Sequence, residues 1–358
     1  MLPDTTDSLL FSCLSPQDLV YYSRTCQATY RAVTSYKIRA FDINERLSRF
    51  FSPHEVLYFR YWQAKTGLLI SGSTALQFFD RSIYPESDLD IYMEHCHALV
   101  VAQWLRKIGY TFVPRKHQEG VLEHAFDEAL DTFHVGSGVF PSEEVGYFGR
   151  GVAGVFNFHK YHPDRKIQLI TALHSPMEVI LNFHSTCVMN IITHDSAYAL
   201  YPIATFEWRR SLICATKGSK QEQARAKYIT RGWTMETSLQ PHEIGDRLSD
   251  FRMGNRWIGD KACWTMKILP DLGLGPDYIG SNTWRLAYSE GYEARNEFKI
   301  LQTPLLRYRY LVADEDIVRF IDPAISLCLS DKEFYDADIK QLIGMYCNTN
   351  KRFRVNMQ

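Results

Sequence analysis

Long apolar runs are missing from this sequence. No uninterrupted stretch approaches the roughly 20 residues that a spanning helix needs, so no membrane partner is expected. Met1-Leu2-Pro3-Asp4 opens without a basic cluster or an extended apolar core, and no secretory signal is expected there. An excess of one charge is missing too. Lys and Arg number 40 against 41 Asp and Glu, for a formal net charge of -1. No global field draws such a chain to nucleic acid or to an anionic membrane, so nucleic acid is not indicated as a partner. Paired cysteines are absent. Cys13, Cys26, Cys96, Cys187, Cys214, Cys263, Cys328 and Cys347 are scattered, with no Cys-x-x-Cys. That pattern disfavours a disulfide framework or a zinc knuckle and favours free thiols in the cytoplasm or nucleus. Internal repeats and low-complexity tracts are also absent.

What is present suits a packed α+β protein. Hydrophobic residues make up 46% and aromatics 14% of 358 residues, enough for a sizeable core and about two domains. Four segments carry a capping-box pattern: Ser15-Pro16-Gln17-Asp18, Ser52-Pro53-His54-Glu55, Ser175-Pro176-Met177-Glu178 and Ser330-Asp331-Lys332-Glu333. The serine accepts a hydrogen bond from an orphan backbone N–H, and the acid three residues on reaches back to the helix start. Proline at the first helical position loses nothing by lacking an N–H. The pattern predicts helices over 53–65, 74–79, 98–108, 121–130 and 176–192. It predicts strands over 67–70, 88–92, 152–159 and 166–171, the last two joined by a turn at Pro163-Asp164. Residues 1–48 read as a helical segment, 53–192 as the core domain, and 193–358 as a mixed region of unknown role.

Asp88 and Asp90 stand two apart on a predicted strand, so both carboxylates project from one face while Leu89 and Ile91 turn inward. Two hard oxygen ligands on a rigid edge suit Mg²⁺. Upstream, Gly72 permits close backbone approach, and Ser73 opens a helix whose free N–H groups favour phosphate. These parts can hold a metal-bound triphosphate before a nucleophile.

Leu69-Ile70-Ser71-Gly72-Ser73 followed by Ser87-Asp88-Leu89-Asp90-Ile91 resembles the defining motif of the nucleotidyltransferase superfamily, the DNA polymerase beta-like fold. The resemblance covers residues 53–192. It implies a mixed β-sheet flanked by helices, phosphate contacts from Gly72 and Ser73, and Mg²⁺ held by Asp88 and Asp90, with a nucleoside triphosphate as ligand. Members of that family normally supply a third carboxylate from a neighbouring strand. Here the strand Lys166-Ile167-Gln168-Leu169-Ile170 puts Gln168 in that place, an amide that coordinates through its carbonyl without bringing charge. Asp164 is the nearby acid, displaced along the strand. The expectation is Mg-nucleotide binding with weak or absent transfer, a pseudoenzyme at the limit.

Leu2-Pro3, the apolar spacing through Leu14, Ser15-Pro16-Gln17-Asp18-Leu19, Cys26 and Val33 resemble an F-box, over residues 1–36. That resemblance implies docking to a Skp1-like adaptor of a cullin ubiquitin ligase, with the second domain as a non-catalytic recognition module. The pairing of the two modules is reminiscent of fungal proteins. His95-Cys96-His97 sits at a helix start, where zinc is not expected, and His159 and His162 flank a turn. The basic run Lys217, Lys220, Arg225, Lys227 and Arg231, beside Trp233, reads as a solvated helix face in preference to a phosphate-binding one. Leu272-Gly273-Leu274-Gly275-Pro276 reads as a loop.

Overall fold

A computed structural model describes residues 4–134, 151–214, 219–326 and 332–349. Three helices open it: α1 (Asp4–Ser12), α2 (Pro16–Ser23) and α3 (Gln27–Ala40). Ser15 caps α2 by accepting from the Asp18 amide at 3.1 Å, with Pro16 in the first turn. Phe11, Leu19, Val33 and Tyr36 form a small core of their own. Leu2 and Pro3 lie outside the described residues.

A short α4 (Ile43–Leu47) leads into α5 (Pro53–Thr66), whose start is a complete capping box. Ser52 accepts from the Glu55 amide, and the Glu55 carboxylate accepts from the Ser52 amide at 2.7 Å. Gly67 ends α5 in the left-handed conformation that L side chains avoid. Then follow β1 (Leu69–Ile70), α6 (Gly72–Asp80), β2 (Leu89–Glu94), α7 (Ala98–Lys107), β3 (Thr111–Val113), α8 (Leu122–His134), β4 (Val152–Tyr161) and β5 (Asp164–Ala172). After these come α9 (Pro176–Leu181), β6 (Asn190–Ile192), β7 (Ser196–Ala199) and α10 (Ser219–Ile229).

Among the described residues the main sheet has eight strands. Its order is Trp264–Lys267, β7, β6, β1, β2, β5, β4, β3. Only β2 and β5 pair in parallel, with Asp90 opposite Gln168; the other pairs are antiparallel. The sheet runs past residue 192 and takes its edge strand from the region after 200.

Strand periodicity divides the two faces. Leu89, Ile91 and Met93 join Ile167, Leu169, Phe156 and Phe158 against α5, α6 and α7 in the larger core. Tyr92, Ile170 and Val155 point the other way, against α9 and the C-terminal half. Asp88 and Asp90 share that second face with Tyr92.

One predicted element differs. The helix expected over 176–192 stops at Leu181, and the chain returns to the sheet as β6. Ser175 caps its start through Met177, not Glu178. At its end the Asn182 side-chain amide donates to the Glu178 carbonyl at 2.8 Å, closing the last turn. Cys187, Val188 and Ile191 are buried from all sides, so their spacing reports enclosure, not a helical stripe. Of the fourth capping pattern, Ser330 and Asp331 lie outside the described residues; the next described helix begins at Asp336. Every cysteine among the described residues is a free thiol. Among those residues no helix is long and apolar enough to cross a membrane.

Candidate functional site

Between the second sheet face and α10 lies a cleft of about 380 Å³. Gly72, Ser73, Asp88, Asp90 and Gln168 all line it. Local chemistry explains the convergence. Ser71 spends its hydroxyl on the Asn190 carbonyl at 2.6 Å, so it does not cap α6. The helix start therefore faces the cleft without a side-chain cap. Gly72 takes a φ of 62°, and a Cβ on it would lie 2.9 Å from Asp90 Oδ2. Only glycine brings a helix start this close to the carboxylate.

The loop from α6 to β2 is pinned. Gln77 donates to the Ser73 carbonyl and to Ser87 Oγ, both at 3.0 Å, and accepts from the Tyr84 amide at 2.6 Å. The Thr74 hydroxyl donates to the Asp88 carbonyl at 3.2 Å. Asp88 is thus held at the mouth of β2 by the same helix that presents Gly72 and Ser73.

Charge is concentrated here. Asp90 keeps partial access to solvent through the cleft while protein surrounds it elsewhere. Its carboxyl is pushed up to about 7, first by burial and then by the neighbouring Asp88 charge, with Lys227 opposing. Burial also raises Asp88, against the pull of Lys166 and Lys227. Asp164, at the exposed hairpin end, pairs with His159 and adds a further upward push on Asp88.

These donors fit a hard divalent cation. Two crowded carboxylates share one face, an amide carbonyl stands beside them in register, and a Cβ at residue 72 would fill the space against Asp90. Asp88, Asp90 and Gln168 are the residues that would hold Mg²⁺.

The far wall comes from residues distant in sequence. Lys227 on α10 lines the cleft and is felt by both Asp88 and Asp90. Surrounding protein and Arg231 lower its pKa, and the two aspartates oppose them. Tyr228 anchors α10 in the core, beside Trp233, whose indole N–H donates to the Thr205 carbonyl at 2.9 Å. Arg231 lies over the Tyr84 ring at 3.6 Å and so ties α10 to the loop before β2. Lys217 and the side chain of Lys220 lie outside the described residues. Lys227 is exposed to solvent, as a solvated helix face requires, and also lines the cleft, while Arg231 stacks on Tyr84. Lys227 belongs to the basic run that the sequence marks, but no local pattern brings it or His184 to this cleft, because each depends on a tertiary approach.

The other signals fall elsewhere. His95 is buried, with Nδ1 2.9 Å from Thr171 Oγ1 and Nε2 3.2 Å from the Phe126 carbonyl. Glu94, not His95, comes together with Cys96 and His97. Arg309 already donates to that Glu94 carboxylate at 2.7 Å through both its amide and its guanidinium, so a cation there would meet a resident positive charge. Residues 272–276 form a loop that follows the strand Trp264–Lys267 and leads into the short helical turn Tyr278–Ser281. No protein family, curated protein or solved structure matches this chain.

Proposed function

We propose that this chain is a nucleotidyltransferase-type protein that binds Mg-nucleotide in the cleft between the sheet and α10. One observation carries the reading: Gly72, Ser73, Asp88, Asp90 and Gln168 line a single open cleft. The strand-turn-helix-strand order and the parallel β2–β5 pair support the same fold reading. The uncapped start of α6 binds phosphate oxygens, and Lys227 neutralises charge from the opposite wall. Bound Mg²⁺ would supply charge neutralisation at the phosphates and help to orient them.

Transfer, where it occurs, is an in-line displacement at the α-phosphorus that releases pyrophosphate. It is slow, because Gln168 contributes no charge where a third carboxylate would hold a second metal. Calorimetry with ATP and GTP, with and without Mg²⁺, tests the reading. Micromolar-range binding that needs Mg²⁺ and disappears in Asp88→Ala/Asp90→Ala supports it. Equal affinity in both proteins removes the site.

A second reading concerns the N-terminal module. Leu9, Tyr21 and Tyr30 are 72%, 57% and 59% exposed, although the module has its own core. Exposed apolar side chains of this kind suit an adaptor role in which residues 1–36 dock a Skp1-like protein. A pull-down with purified Skp1, with and without the first 40 or so residues, separates the readings. No recovery by the full-length chain sinks the adaptor role.

A further inference from the structure

Attack of a hydroxyl on phosphorus needs a group that takes the proton. In the cleft the candidates are few. Gln168, Gln221 and Gln223 have no basic atom, and Lys227 is a cation that assists phosphate. Asp88 and Asp90 are committed to the metal. Glu86 lines the cleft but is exposed to solvent, and among the described residues its carboxylate lacks the fixed partner that positions a base. That leaves His184.

We propose that His184 is the proton acceptor of this cleft, acting through Nε2 on the attacking hydroxyl or water. The proposal rests on the Mg-nucleotide reading of the same site.

The geometry of the ring supports the role. His184 lines the cleft, with Nδ1 2.8 Å from Ser185 Oγ. Ser185 Oγ in turn lies 3.6 Å from Cys187 Sγ. A chain in which Nδ1–H donates to Ser185 and the Ser185 hydroxyl donates to sulfur leaves the lone pair on Nε2. Among the described residues, no group hydrogen-bonds Nε2. The ring packs beside Tyr228, with centroids 5.7 Å apart. The backbone is fixed on both sides: the His184 carbonyl accepts from the Cys214 amide at 3.2 Å, and Ser185 bridges to Ile213. A base held by a partner on its far nitrogen is the arrangement that nucleophile activation requires.

Burial, then the Arg225 charge, pushes the ring down to about 4, so the imidazole is neutral at physiological pH but a weak base, and the role rests on its position in the cleft and its Ser185 contact. The titratable groups around it are Arg225 and Tyr228 of α10, Cys187 beyond Ser185, and Cys214 at its carbonyl.

The step balances. The acceptor O–H gives its proton to Nε2, and its oxygen bonds to the α-phosphorus. The bond from that phosphorus to the bridging oxygen breaks, and its electron pair leaves with pyrophosphate. The imidazolium then returns its proton to solvent.

The test uses the full chain with Mg-ATP or Mg-GTP and water as acceptor, reading Kd by calorimetry and pyrophosphate release separately. His184→Gln should bind nucleotide within about twofold of wild type and lose release by about 100-fold or more. His184→Gly should regain release on addition of imidazole, a response that a purely structural role does not produce. Release by His184→Gln at the wild-type rate, or His184→Gly without rescue, overturns the assignment. Wild type that binds nucleotide but releases no pyrophosphate overturns it as well. Wild type that binds no nucleotide defeats the reading beneath it.

Discussion

A Cβ on Gly72 would stand 2.9 Å from Asp90 Oδ2, so the turn before α6 and the second acid of β2 are built to each other's shape. Gly72→Ala has to give up either the φ of 62° or the carboxylate position. The expected cost is about 1–3 kcal/mol of stability, read from urea unfolding. Mg-dependent nucleotide binding should fall with it. Unchanged stability and unchanged binding would show that this contact places no constraint on the site.

The Asp90 carboxyl competes between proton and metal. It must be ionised to coordinate, and it sits at about 7. Apparent Mg²⁺ affinity should therefore fall as pH drops below about 7, approaching tenfold per pH unit, and level off above it. In chelator the sign reverses for folding. A raised carboxyl contributes stability at low pH that is lost as pH rises between the ordinary 3.8 and about 7. Magnesium titrations and chelator melts from pH 5 to 8, on wild type and Asp90→Asn, check both trends. Asp90→Asn should flatten each, and an unaltered profile in that variant would assign the titration to another group.

Lys227 faces both aspartates from α10, where it meets the phosphates in the proposed complex. Lys227→Ala should weaken Mg-nucleotide about tenfold, and the difference should shrink in high salt. Lys227→Arg should recover much of the loss. Wild-type affinity in the alanine variant would place the phosphates elsewhere.

Arg81 fastens the N-terminal module to α6. Its guanidinium donates to the Phe11 carbonyl at 3.1 Å, to Tyr36 Oη at 2.9 Å and to the Leu14 carbonyl at 2.7 Å. In Arg81→Ala those acceptors lose their donor. Trypsin should then cut within residues 1–48 at least several-fold faster, while the chain from α5 onward resists as before. Uniform sensitivity along the chain would mean that the module and the sheet unfold together.

Much of the site's near wall was legible because its signals are local. Ser52 and Glu55 announce α5 within four residues, and the alternation from Asp88 to Tyr92 announces β2. The apolar run over 166–170 marked a strand, and the place of Gln168 beside Asp90 came from the resemblance to the nucleotidyltransferase motif. The far wall was not legible in this way. Lys227 enters the cleft because Tyr228 and Trp233 seat α10, more than 130 residues after β2. Nothing near Lys227 in sequence sets it apart from a solvated lysine. The stretch 182–192 misled for the converse reason. Enclosed on every side, Cys187, Val188 and Ile191 carry a spacing that fits a helix, while Asn190–Ile192 pairs with β1 and β7.

The most direct measurement of the central claim is anomalous scattering from crystals soaked with Mn²⁺ and a non-hydrolysable ATP analogue. An ion between Asp88 and Asp90, with Gln168 beside it, and phosphates against the amides of Gly72 and Ser73 are expected. An ion bound elsewhere, or a cleft that takes up neither ion nor nucleotide at millimolar concentration, would contradict it.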